Sequence, residues 1–115
     1  MYKELKVYKR SYKLAISIYR YTSTMPDDER YGLTSQIKRA VTSIPLNIAE
    51  GYGKGDTKSE QKRYLRMAKG SCSELEVLVE MCKDLGFMTR EAHDRYAGEV
   101  QEIGAMLHGL LKSIG

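Results

Sequence analysis

The sequence predicts an all-α protein: an up-down-up-down antiparallel four-helix bundle forming a single domain over residues 1–115. Three observations carry this. Apolar residues recur at steps of three and four in four separate stretches, no stretch alternates with the period of two that a strand needs, and the joints between stretches are short. At 115 residues the chain has room for one core and not for a second.

The first helix is predicted from Leu5 to Ser23. Its apolar residues fall in two adjacent rows, Val7, Leu14, Ile18, Tyr21 and Met25 on one and Tyr8, Tyr12, Ala15 and Tyr19 on the other, which makes the apolar face unusually wide. Pro26 then forbids continuation, and Asp27, Asp28 and Glu29 favour the start of a new helix through its dipole. The second helix is expected to begin between Gly32 and Thr34 and to align Leu33, Ile37, Ala40, Val41, Ile44 and Ile48 on one face. Pro45 lacks an amide and its ring crowds the carbonyl of Val41, so helix two is predicted to kink there. Gly51, Gly53 and Gly55 are expected to end the helix in a flexible turn, with Asp56, Thr57 and Ser59 as alternative caps for helix three.

Helix three carries Leu65, Ala68, Cys72, Leu75, Val79 and Cys82 and should stop at Gly86. Helix four carries Tyr96, Val100, Ile103, Leu107, Leu110 and Ile114. The alternating steps of three and four make a bundle seam on each, so these two helices are expected to pair antiparallel across "GFMTRE".

Composition narrows the function. No apolar run approaches the roughly 20 residues of a membrane-spanning helix, and the N-terminus lacks the apolar centre of a signal peptide, which makes a cytoplasmic location the default expectation. Cys72 and Cys82 sit ten residues apart on one helix, about 15 Å along its axis, too far for a disulfide, and are expected to be reduced and buried. The net charge of +4 is unevenly spread: residues 1–23 carry +5, residues 24–37 carry −2, residues 38–69 carry +5 and residues 70–115 carry −4. Such asymmetry points to an anionic partner.

Enzymatic chemistry finds little support. "GYGKG" has the composition of a phosphate loop, but the preceding strand is missing and Gly55 stands where a hydroxyl residue should follow the lysine. A bundle metal site needs Glu-x-x-His pairs, whereas Arg90 and Ala105 precede His93 and His108 at that spacing, so neither a metal nor another cofactor is expected. Helical RNA-cutting bundles of the HEPN type place an arginine roughly one and a half to two turns before a histidine. Here those positions hold Gly86, Phe87 and Met88 before His93, and Gln101, Glu102 and Ile103 before His108. No nucleophile is placed beside an oriented base, His93 is expected to be solvated and His108 to lie at the margin of the seam, and the protein is expected not to be an enzyme.

Nucleic-acid binding has the best physical support. Lys58, Lys62, Arg66 and Lys69 recur by four, four and three on helix three, forming a basic ridge about a quarter-turn from the seam. Arg63 broadens it, Lys54 stands just before it, and Lys38 and Arg39 on helix two are candidates to extend it. Such a ridge can neutralise several phosphates, and an ordinary solvated helix face has the same pattern. Tyrosine is the other enrichment, with nine in the chain. The double-width face of helix one exceeds what a monomer must bury, so Tyr8, Tyr12, Tyr19 and Tyr21 are read as an oligomer interface in preference to a base-stacking platform.

The stretches "ERYGLTSQIKRAVTSIPLNIAEGYGKG" and "KRYLRMAKGSCSELEVLVEMCKDLGF" resemble the four-helix-bundle family of 23S rRNA intervening-sequence proteins, with "YGLTSQI", "SIPLNIAEG" and "GSCSELE" as the most specific parts. Leu46 departs from the pattern, filling a slot often held by a small residue. The resemblance implies a four-helix fold assembled as a homopentamer. It also implies similarity in fold to accessory proteins of diversity-generating retroelements, basic pentamers that bind a reverse transcriptase and its template RNA. No catalytic residues are carried over. The expected function is a non-enzymatic, oligomeric nucleic-acid-binding accessory protein, with RNA favoured over DNA. The alternative is a scaffold that docks a polymerase or other protein without touching nucleic acid.

Overall fold

The computed structural model of the chain describes residues 1–29, 32–54 and 56–115. Four α-helices account for most of them: α1 Lys6–Thr22, α2 Leu33–Gly53, α3 Lys58–Asp84 and α4 Arg90–Ile114. Short 3-10 turns at Tyr2–Glu4 and Asp27–Glu29 precede α1 and α2, and no strand occurs among the described residues. Asp27 and Asp28 therefore lie in a turn of their own instead of leading directly into α2. The helices make a rod of about 43 × 23 × 20 Å.

The apolar periodicity becomes one continuous core. Ile18, Ile37, Val41, Ile44, Ile48, Leu65, Leu75, Val79, Cys82, Val100, Ile103 and Leu107 are almost wholly removed from water. Each large aliphatic side chain buried this way contributes about 1.5–3 kcal/mol of transfer free energy. Helix α1 packs on α2 and α4, and α3 packs on the same two, so α1 and α3 form one diagonal pair and α2 and α4 the other, with no close backbone approach within either pair among the described residues.

Polar contacts fix the register. Arg10 donates to Glu99 and Glu102, the hydroxyls of Ser17 and Tyr96 share a hydrogen bond of 2.9 Å, and the Thr89 amide donates to the Tyr21 hydroxyl at 3.2 Å. Between α2 and α3 the hydroxyl of Ser43 donates to that of Ser71, and Gly51 lies against Tyr64. Between α3 and α4, Cys72 faces Gly104 and Lys69 meets His108.

The helix ends follow local chemistry. Of the three candidate caps before α3, Thr57 is the one used: its hydroxyl oxygen accepts from the Glu60 amide at 3.1 Å, and Thr89 caps α4 through the Ala92 amide in the same way. Gly86 at φ +81° ends α3 in a Schellman motif, with the Phe87 amide donating to the Cys82 carbonyl at 2.8 Å and the Gly86 amide to the Lys83 carbonyl at 3.0 Å.

The glycines of α2 differ from expectation. The helix continues through Gly51 and ends at Gly53, and Gly55 lies outside the described residues. Gly51 is buried, and a Cβ built there would stand 3.2 Å from the Tyr64 Cβ and 3.4 Å from the Gln61 carbonyl oxygen. Its role is close approach of α2 to α3, since any side chain there would make the neighbours give by a few tenths of an ångström. Pro45 is buried within α2, and the Asn47 side-chain amide donates to the Ser43 carbonyl at 2.8 Å two residues on.

Candidate nucleic-acid interface

Because Thr57 caps α3, Lys58 is its first residue and the ridge starts with the helix. Lys58 and Arg66 are exposed, and Lys62 and Lys69 are half-buried with their stems along the bundle. All four fall within an arc of roughly 80° at 100° per residue, and Arg66 and Lys69 line the junction with α4. Lys54 caps the C-terminus of α2 and is exposed.

Helix α4 supplies what the sequence pattern did not. An open groove of about 520 Å³ is lined by Arg66, Lys69 and Ser73 of α3 together with His108, Leu111 and Lys112 of α4, and no carboxylate lines it. The Lys69 Nζ lies 3.0 Å from Nδ1 of His108. An ammonium group only donates, so in this contact Nδ1 of His108 is the acceptor. Lys112 and His108 are four residues apart on α4, but no signal in the sequence ties them to Lys69, because that requires the α3–α4 register.

Three of the sequence-predicted cations are placed elsewhere. Lys38 turns toward α1, its Nζ 5.0 Å from the centre of the Tyr19 ring. Arg39 turns toward the outer side of α3 and pairs with Glu74 at 3.8 Å. Consecutive residues on a helix point about 100° apart, so the two cannot both extend one ridge. Arg63 lies about 100° around α3 from Lys62. Its Nε donates to Glu60 at 3.0 Å and its guanidinium covers the Tyr64 ring, and chiefly the Glu60 hydrogen bond holds its pKa above the ordinary arginine value.

The tyrosines divide too. Tyr12 and Tyr19 are 52% and 45% exposed, and with Ile16 and Leu46 they border an apolar groove of about 450 Å³ between α1 and α2. Tyr8 is half-buried against Tyr2 and Tyr12, and burial before anything else raises its hydroxyl pKa. Tyr21 turns inward, edge-on to Tyr96 at 5.8 Å, and is committed to the fold of its own chain.

The groups weighed for catalysis are bound up in structure. Burial pushes the Cys72 thiol up to about 12, and both cysteines are buried, with no disulfide between them. His93 is less solvated than expected, with its side chain 15% exposed and Nδ1 2.9 Å from an Asp94 carboxylate oxygen. That hydrogen bond holds the Asp94 carboxyl below the usual carboxylate value. Among the described residues no group of three or more His, Cys, Asp or Glu is arranged to hold a metal ion, and no helix is long and apolar enough to cross a membrane.

The solved structures include a similar protein, described as of unknown function from the S23 ribosomal protein family of Bacteroides thetaiotaomicron VPI-5482. It superposes with a TM-score of 0.82 at 24% identity, over 92% of this chain and 98% of that one, a likeness that shows the four-helix fold. Nothing among curated proteins matches the sequence. The family model for the 23S rRNA-intervening sequence protein matches residues 3–109, and the chain belongs to that family.

Proposed function

We propose that the protein is a non-enzymatic, self-associating accessory protein that binds nucleic acid, RNA in preference to DNA, through the flank of α3 and its junction with α4. One observation carries this reading. Lys58, Lys62, Arg66 and Lys69 are continued by Lys112 and His108 into a groove that no carboxylate lines, whereas Arg10, Arg39 and Arg63 are each neutralised by a glutamate. Uncompensated cations in a row along a helix suit a phosphate backbone, where each contact adds about 0.7–0.9 to the salt slope of binding. Family membership supports RNA as the anion. Buried cysteines that are not joined in a disulfide fit a reducing compartment, and we place the protein in the cytoplasm.

The helices in this reading alternate in direction, up-down-up-down. The residue pairs support it: 10 with 99 and 102, 17 with 96, 43 with 71, 51 with 64, and 69 with 108 all run in opposite senses. Helix α2 bends at Pro45, where Val41 loses its usual amide donor. The assembly is a homopentamer, as the family resemblance implies, using the exposed apolar surface around Tyr12 and Tyr19.

The decisive measurement is binding of structured RNA by the wild type and by a variant carrying Lys62→Glu, Arg66→Glu and Lys69→Glu across a salt series. Loss of affinity with a flatter salt slope is expected, and equal affinity with an equal slope would refute RNA binding at this face. The apolar groove favours a second reading, a scaffold that docks a reverse transcriptase or another protein without nucleic-acid contact. Recovery of the same protein partner after nuclease treatment, together with unaltered RNA binding by the triple variant, would favour it.

A further inference from the structure

Two apolar surfaces of the bundle remain open to water, and they lie on the two diagonal helices. On α1, Tyr12, Ile16 and Tyr19 border the groove shared with Leu46 of α2. On α3, Met67, Val77, Met81 and Leu85 are 45–58% exposed and fall within an arc of roughly 80° on the side away from the core. Val77, Met81 and Leu85 follow one another at one-turn spacing, an exposed apolar row of the kind that marks a contact surface.

Charge says what covers them. The α1 surface is edged by Lys9, Lys13 and Arg20, which share one side of the helix and border Tyr8, Tyr12 and Ile16, and no carboxylate lines the grooves among them. The α3 stripe is edged by exposed Glu80 and Asp84, one turn from Val77 and Met81, with Lys83 3.9 Å from Asp84, and Glu74 on the same side is paired with Arg39. The two apolar surfaces are thus edged by charge of opposite sign on one molecule.

We infer that these surfaces are complementary halves of one head-to-tail contact: the acidic α3 stripe of one copy docks in the basic, tyrosine-lined α1–α2 groove of the next. The contact is heterologous, because each copy uses a different face on each side, and such a contact builds a closed ring where the rotation between neighbours closes. Lys69, His108 and Lys112 lie on the α4 side of α3, about 80° or more around from the stripe, whereas Arg66 stands beside Met67 at its edge. The inference rests on the self-association part of the proposal above and specifies its two faces.

Exchanging the charges tests it. One variant carries Lys9→Glu, Lys13→Glu and Arg20→Glu, a second carries Glu80→Lys and Asp84→Lys, and a third carries all five. Mass is measured by light scattering after nuclease treatment, with helix content followed by circular dichroism. The first two are expected to fall to the 13.1 kDa of one chain with helix content retained, and the third to associate again. An α3 variant that keeps the wild-type mass, or a folded five-fold variant that stays monomeric, would overturn the head-to-tail contact while leaving self-association standing. A wild-type protein that is itself monomeric, or that dissociates on nuclease treatment, would overturn both.

Discussion

Lys69 of α3 and His108 of α4 meet with Nζ and Nδ1 3.0 Å apart, and their contact carries the basic ridge across from one helix to the other. With Lys112 one turn further along α4, the ridge acquires a second wall. Substituting Lys112→Glu is expected to weaken RNA binding several-fold and to lower the salt slope by about one unit. Lys38→Gln, on the α1 side of the molecule, should leave both unchanged. Titrations at several salt concentrations check this, and an effect of Lys38 equal to that of Lys112 would contradict the division between the two faces.

The absence of a side chain at Gly51 sets how closely α2 approaches α3. A valine there would place methyl groups into the Tyr64 Cβ and the Gln61 backbone, and overpacking of this kind costs about 1–3 kcal/mol. Urea denaturation of Gly51→Val should show a lower midpoint, and an unchanged midpoint would show that the helices separate at no cost.

Gly86 has open space around it, so any effect of substitution is conformational. At φ +81° an alanine is strained by about 1 kcal/mol, and Gly86→Ala should destabilise by that amount without disturbing the core. Thermal melting measures it.

Acid should weaken the α1–α4 contact. The hydrogen bond from Arg10 holds the Glu102 carboxyl below the usual glutamate value, so near pH 4 the folded chain binds fewer protons than the unfolded one. The stabilisation is therefore complete above the ordinary glutamate range and is lost as pH falls through the lowered folded value. Asp94, lowered by His93, acts in the same sense. Melting temperature should fall less steeply between about pH 5 and pH 3 in Glu102→Gln than in the wild type.

Pro45 borders the apolar groove with Leu46, so the course of α2 shapes that surface. Pro45→Ala restores an amide and removes a residue about 3 kcal/mol less favourable in a helix interior, and is expected to straighten α2 and change the assembly. An oligomer of unchanged mass and unchanged thermal stability would show that the proline has no such role.

Much of this molecule is legible without coordinates. Steps of three and four from Leu65 to Cys82 and from Tyr96 to Ile114 predict buried rows, and those residues are buried except Leu110 and Ile114, which are partly buried near the end of α4. Pro26 marks the end of the first helical stretch and Gly86 the end of α3, because both act through the backbone of their own residue. The glycines were harder to read: a run of them suggests a flexible turn, and only the approach of Tyr64 reveals that Gly51 belongs inside the helix.

By itself the sequence determined the all-α class, the four helices, the core rows, the reduced cysteines and the basic flank of α3, since each depends on spacing within one helix. Only the tertiary structure decided which charges share a surface. Helix packing brought Lys112 and His108 to Arg66 and Lys69, sent Lys38 to Tyr19 and Arg39 to Glu74, and turned Tyr21 onto Tyr96 while Tyr12 and Tyr19 stayed exposed. The physical reason is that a helix fixes the angle between its own side chains, whereas the neighbours they meet depend on the rotation and register with which separate helices bury their apolar faces.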